Sequence, residues 1–404
     1  MKKSRLLFLS ISFLISTSCE KEEGSWLNNI NGNYVPDAYF FNELIRNGVD
    51  KNGDGHISID EAEATTNLKI VTTYVLDFTG IEVFVNLHTL ICIRGQLAKP
   101  DLPNNASQTD LDTRRYKSKS LDVSKNTELV ILLCGSNLLT SLNVNGCTGL
   151  FELDCSNNFI SNLVISDCTS LSELNCEDNR LVSLDVTNNN ALTYLDVSRN
   201  LIENLDISLN TALVTLDCAA NLLTGLNMKG CTSLNELSCN GNGLASLDAS
   251  NNTALVKLNC RGNQLTILDI SKNTALEILD CSGNELSALD LQDCPSLCEL
   301  NCRYNRLASL DASNNIALTR LICYFNELTN LDISNCTGLT ELYCSYNRLT
   351  TLDISNNNQL TELAIDHMPS LSEVCVWTMP FPPAGIIIFW KYSPNVYFTM
   401  NCNN

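Results

Sequence analysis

Histidine is nearly missing from this sequence: 404 residues hold only His56, His88 and His367, in unrelated contexts. That leaves little material for His-centred catalysis or a transition-metal site, and no paired acid and base, nucleophile elbow or phosphate loop accompanies them. No enzymatic activity is expected. Basic residues are also scarce, 25 against 45 acidic ones, for a formal net charge of -20. Such a chain repels polyanions, which argues against nucleic acid and anionic membrane surfaces as partners. Only 9 prolines stand beside 44% hydrophobic residues, so the chain can build a core. No apolar run of about 20 residues follows the leader, so any membrane attachment beyond it must come from a lipid. Cysteine, by contrast, is abundant at 20.

The first 18 residues place Lys2, Lys3 and Arg5 before an apolar run from Leu6 to Ile15 and the small residues Ser16, Thr17 and Ser18. This is the layout of an export leader. Cys19, directly after the small residues, resembles the lipid-modified cysteine of bacterial lipoproteins, although Ser16 departs from the usual Leu. Glu20, Lys21, Glu22 and Glu23 then resemble the surface-export signal of Bacteroides-type lipoproteins. The resemblance implies a lipid anchor at Cys19 and an outer-membrane, cell-surface location. Residues 19–35 read as a tether.

Residues 50–61 read DKNGDGHISIDE, a full match to the EF-hand loop pattern D-x-N-x-D-G-x5-E. Calcium wants 6 to 8 oxygens, which alternate side chains of a tight loop bring to one point. Asp50, Asn52 and Asp54 would give side-chain oxygens and His56 its carbonyl. Ser58 would act through water, Gly55 would make the turn and Glu61 would close the site bidentately. Apolar spacing after Pro36 predicts an entry helix, and Glu61–Leu68 an exit helix, so residues 36–68 form one calcium-binding segment. A single hand in a calcium-rich exterior points to structural Ca2+ rather than a switch.

Most of the chain repeats at a step of 21 residues. Asparagine recurs without a miss from Asn137 to Asn347, and leucine from Leu132 to Leu363. The unit L-x-x-L-x-C-x-x-N-x-L-T-x-L-D-I-S-x-N-x-x is well shown by Leu339–Asn357. Its first half carries cysteine at Cys134, Cys155, Cys176, Cys218, Cys239, Cys260, Cys281, Cys302, Cys323 and Cys344, with Val197 as the exception. Its second half carries a column at 126, 147, 168 and onward to 357 holding seven asparagines and five cysteines. This pattern is similar to the short, nested leucine-rich repeats called IRREKO, known from Bacteroides-type surface lipoproteins, and covers roughly residues 121–366. The implied function is a cell-surface binding protein for a protein or glycan. A structural or nutrient-capture component of an outer-membrane assembly is the alternative.

A 21-residue turn leaves about 10 residues for the return side, too few for a convex helix and two connections. The prediction is a mainly β, narrow monomeric solenoid. Each L-x-C gives a parallel strand and each L-D-I something strand-like or irregular, with rungs about 4.8 Å apart. Fifteen cysteines then point inward in two columns. Equivalent positions with parallel Cα–Cβ vectors are too far apart for disulfides, so these thiols are expected to be reduced, apolar fillers. Cys92 reads as a ladder cysteine of a degenerate first repeat, whereas Cys298 has no assignable role. Cys375 and Cys402 lie outside the columns and can pair as a disulfide.

Residues 69–120 are expected to form an N-terminal cap and degenerate repeat, with 21 extra residues around Ala98–Ser118 as an exposed loop or a degenerate rung. Residues 367–404 read as a β-rich C-terminal cap. Two positions beyond the ladder cysteine a column runs Gly241, Gly262, Gly283, then Tyr304, Phe325, Tyr346. Tyr324 and Tyr343 lie beside it, with Arg303, Arg306, Arg320 and Arg348 nearby. This aromatic strip, with Arg320 and Arg348 as donors to an acidic group, is the candidate ligand site. Rings that merely stack on one another are the competing reading. Aspartate at nine of twelve rungs from 122 to 353 is expected to make local Asx hydrogen bonds on a solvated face.

Overall fold

The computed structural model describes residues 29–30, 33–35, 37–72, 75, 77–93 and 120–402. The leader, Cys19 and the extra segment 98–118 lie outside the described residues. The described chain winds into a parallel β-solenoid. One 15-stranded sheet holds the rungs, among them Glu152–Asp154, Thr215–Asp217 and Glu341–Tyr343. Neighbouring strands pair in parallel at the repeat step, with Leu216 opposite Leu237 and Leu237 opposite Leu258. On the return side strands are short and paired in small groups, such as Ser246–Asp248 with Ile267–Asp269. No helix lies on that side of the repeats among the described residues, as the 21-residue step predicts. No described helix is long and apolar enough to cross a membrane.

Two hydrogen-bonded ladders explain the two columns. In the first, Asn221 donates its Nδ2 to the carbonyls of Val197, Cys218 and Ala219, and its Oδ1 accepts the amide of Ile202. Donor and acceptor are both used, so only asparagine serves and the column has no exceptions. In the second, Asn210 donates to Val186 and Asn189 while its Oδ1 has no partner, and six equivalent asparagines are alike. A donor alone suffices there. Cys231 supplies one through its S–H to the Ile207 carbonyl at 3.3 Å, which is why cysteine alternates with asparagine at this position.

The fifteen ladder cysteines and Cys92 are buried with free thiols, and Cys298 is half-buried. Burial pushes the Cys239 thiol up to about 12 and Cys218 and Cys260 well above their ordinary value, so none is a thiolate at neutral pH. Native alkylation followed by mass spectrometry is expected to leave Cys218, Cys239 and Cys260 unlabelled. Disulfides between neighbouring rungs would refute the packing. Cys375 and Cys402 are joined, with Cα atoms 5.6 Å apart. All nine aspartates of the return side accept the amide two residues on, as Asp248 does from Ser250.

The N-terminal end differs from expectation. The predicted exit helix is shorter: α2 spans Ile59–Glu63, and Asn67–Val71 is already the first strand of the main sheet. Its alternating pattern, with Leu68 and Ile70 buried, is a strand period and overrides helix continuation. Thr89–Ile93 pairs directly with Ile131–Leu133 in the main sheet. Helix α1 (Ala38–Arg46), capped by the Asp37 side chain, packs on the outer edge of the first strand. The Asn47 amide bonds both the carbonyl and the amide of Lys69, and Glu43 accepts the amide of Val71. These side chains satisfy an edge that would otherwise be open for pairing. At the other end the chain is β-rich, as expected, and its strands continue the rungs. Ile387–Phe389 extends the main sheet, and Glu373–Cys375 and Tyr397–Thr399 extend the return side.

Candidate functional site

The turn after each rung strand passes through a residue with left-handed backbone. At this position φ is 53° at Tyr304, 54° at Phe325 and 55° at Tyr346. The same column holds Gly241, Gly262 and Gly283 at 67°, 64° and 65°. The chain step places these side chains directly above one another. Tyr304 and Phe325 stack with ring centroids 4.7 Å apart, and Phe325 and Tyr346 at 4.0 Å. Two further rings extend the stack: His367 lies 4.1 Å from Tyr346, and Tyr392 lies 4.6 Å from His367.

Sequence reasoning missed both. His367 was legible, since it falls 21 residues after Tyr346. Tyr392 was not, because the last turn takes 25 residues, with Glu362 opposite Ile387. The stack stays open to solvent despite its packing, with Tyr304 51%, Phe325 38% and Tyr346 37% exposed. Tyr324 meets Tyr304 and Phe325 edge-on at 5.6 and 5.7 Å. Tyr343 sits one rung on, its hydroxyl donating to Glu341. Burial and the neighbouring carboxylates raise the Tyr343 phenol above its ordinary value, so it stays a donor.

The arginines are placed differently from expectation. Arg320 pairs with Glu341 at 2.8 Å and Arg348 with Glu327 at 2.9 Å, so both are already engaged by carboxylates. Arg306 likewise pairs with Glu285 at 3.1 Å. Arg303 instead donates to the Tyr324 hydroxyl and lies over that ring, 5.5 Å from its centroid.

The second predicted site is the turn between α1 and α2. Asp50 accepts the amides of Gly53 and Gly55 at 2.7 and 2.9 Å, and Asp54 accepts that of His56 at 2.8 Å. Gly55 has φ 79°, the left-handed turn its position demands. Glu61 accepts the amide and hydroxyl of Ser58 and the amide of Lys51, and these bonds, Ser58 first, hold its carboxyl at about 2. Asp50, Asn52, Asp54, Ser58 and Glu61 offer only oxygen ligands on one short loop, a donor set that fits calcium. Among the described residues, the only three His, Cys, Asp or Glu ligand atoms within 4.8 Å of one another belong to Asp353, Cys375 and Cys402. The sulfurs of that other trio are joined to each other and are not available as ligands.

No protein-family profile matches the chain, and no curated protein does. Solved structures do. The functional domain of InlJ from Listeria monocytogenes, described as including a cysteine ladder, is 29% identical over 79% of this chain and 69% of its own, with TM-score 0.58. The fold is a leucine-rich repeat. An internalin from Listeria monocytogenes, InlF, shares it at 20% identity over 92% of this chain and 96% of its own, TM-score 0.60. YopM from Yersinia enterocolitica does so at 22% identity over 88% and 75%, TM-score 0.58. The ladder cysteines buried here are the feature that the description of InlJ also names.

Proposed function

We propose that this leucine-rich-repeat chain is a non-enzymatic surface binding protein that holds a protein or glycan ligand on its aromatic strip. The exposed stack from Tyr304 to Tyr392 carries the reading. Four stacked rings, with Tyr392 tilted against the last, form on a rigid sheet margin a preorganised surface whose ordering cost is already met by the fold. A solved complex of leucine-rich-repeat proteins, LRIM1 with APL1C, supports a protein as one class of ligand. The leader and Cys19 support export and lipid anchoring at the outer membrane, with the solenoid presented outward. The loop Asp50–Glu61 supports a structural calcium ion that ties α1 and α2 to the first strand.

Phe325→Ala tests the strip. Binding to a partner captured from intact cells is expected to weaken by on the order of 1 to 3 kcal/mol, the loss of a central aromatic anchor. The circular dichroism spectrum should stay unchanged. Unaltered affinity with a lowered melting temperature would show that the rings serve only to hold successive rungs together.

A further inference from the structure

The aromatic stack ends abruptly at Tyr304, because the next three positions of the same column are glycines. Left-handed backbone does not demand glycine here: Ser136, Asn157, Asp178, Arg199 and Ala220 occupy the column at φ 52° to 57°. Nor does crowding. A Cβ built on Gly283 would lie an ordinary 3.6 Å from the Gly262 nitrogen, and one on Gly262 3.8 Å from that of Gly241. The same contacts show that side chains in this column lean toward the preceding rung. The ring of Tyr304 therefore has Phe325 against one face, and its other face lies toward the bare backbone of Gly283.

Three glycine rungs, exposed at Gly241 and Gly262 and half-buried at Gly283, make a trough roughly 10 to 14 Å long, using about 4.8 Å per rung. Tyr304 closes one end. Along one side run Asn240, Arg261, Ser282 and Arg303, each next to a residue of the column. Among the described residues Arg261 forms no ion pair, unlike Arg306, Arg320 and Arg348, whereas Arg303 is turned away to Tyr324. Between Arg261 and Arg303, Ser282 is buried, at 1% exposure, and lies beneath the surface. On the other side Glu285 is neutralised by Arg306.

We infer that this trough is a binding site for a carboxylated pyranose, a uronate or sialate unit of a glycan, stacked on Tyr304 with its carboxylate facing Arg261. One aromatic platform bordered by the Asn240 amide and the Arg261 guanidinium suits a sugar ring, which offers an apolar face and a polar rim. An aromatic side chain would want apolar walls. Guanidinium meets carboxylate with two parallel donors, which selects the acid over its neutral counterpart. The inference rests on the strip being a binding surface and names its ligand class at one end.

The test uses the whole chain on an array of uronate- and sialate-bearing oligosaccharides printed beside their neutral counterparts. Wild type is expected to retain carboxylated glycans and discriminate against the neutral ones. Gly283→Tyr, which extends the stack with a residue the column already accepts, fills the trough and should weaken retention by at least about tenfold at unchanged melting temperature. Arg261→Gln should erase the preference for the acid. Failure of wild type to retain any carboxylated glycan, or full retention by Gly283→Tyr, overturns the inference. A partner lost with Phe325→Ala but kept by Gly283→Tyr would leave the binding function standing and remove the trough from it. Glycans retained by Phe325→Ala and lost by Gly283→Tyr would do the reverse.

Discussion

Asn221→Ala is expected to lower stability by on the order of 3 to 5 kcal/mol, whereas Asn210→Cys, one column away, should cost less than about 1 kcal/mol. Both asparagines are buried, at 6% and 0% exposure, so burial does not separate them. The difference lies in what each amide does. Truncating Asn221 orphans the amide of Ile202 and removes a donor from the carbonyls of Val197 and Cys218. The Ile202 amide, left unpaired, costs about 1 to 3 kcal/mol, and the bonds lost at the two carbonyls, which keep Asn200 and Asn242 as donors, add to that. Asn210 uses its Nδ2 alone, and a thiol at this position offers a donor to the same kind of carbonyl, as Cys231 and Cys336 do. Denaturant midpoints at unchanged slope measure both variants. Equal losses would show that the two ladders are not distinguished by acceptor use.

Calcium removal should release the N-terminal unit and spare the repeats. Chelation, or Glu61→Ala, is expected to expose α1 and the edge strand Asn67–Val71 to hydrogen exchange, because the loop joins α1 to α2 and α1 covers that edge. Each rung contacts mainly its neighbours, so most of the β signal persists. Glu61→Ala should reduce calcium affinity by at least about tenfold if Glu61 is the bidentate ligand proposed for it. Calorimetry that detects no calcium binding at millimolar concentration would sink the proposal. Acid has a related effect through the same carboxylate. Its folded value, about 2, lies below its ordinary 4.5, so its contribution is complete above 4.5 and fades as the pH falls through about 2. The N-terminal unit is thus expected to loosen in that window, detectable as a step separate from unfolding of the repeats.

Of the strip, Tyr304, Phe325 and Tyr346 were legible because they share the repeat register, and a rigid step turns register into stacking. The roles of Arg320 and Arg348 were not legible. Their partners Glu341 and Glu327 lie 21 residues away on the neighbouring rung, and sequence alone does not say which of several nearby acids a flexible guanidinium will choose. The boundary of the exit helix was misplaced for a similar reason. Residues after Glu63 have a local helical option, and pairing with Thr89–Ile93 outweighs it.

The sequence by itself determined the solenoid, its inward leucines and its buried reduced cysteines, because a 21-residue period admits one short strand and a tight return per turn. What only the tertiary structure decided was how donors and acceptors are shared. It showed that one asparagine column uses both ends of its amide and the other a single end. It also showed that three glycines leave a ring face open, and that Asn47 and Glu43 close the sheet edge. Those outcomes depend on which groups meet across rungs and at the ends, distances that periodicity does not contain.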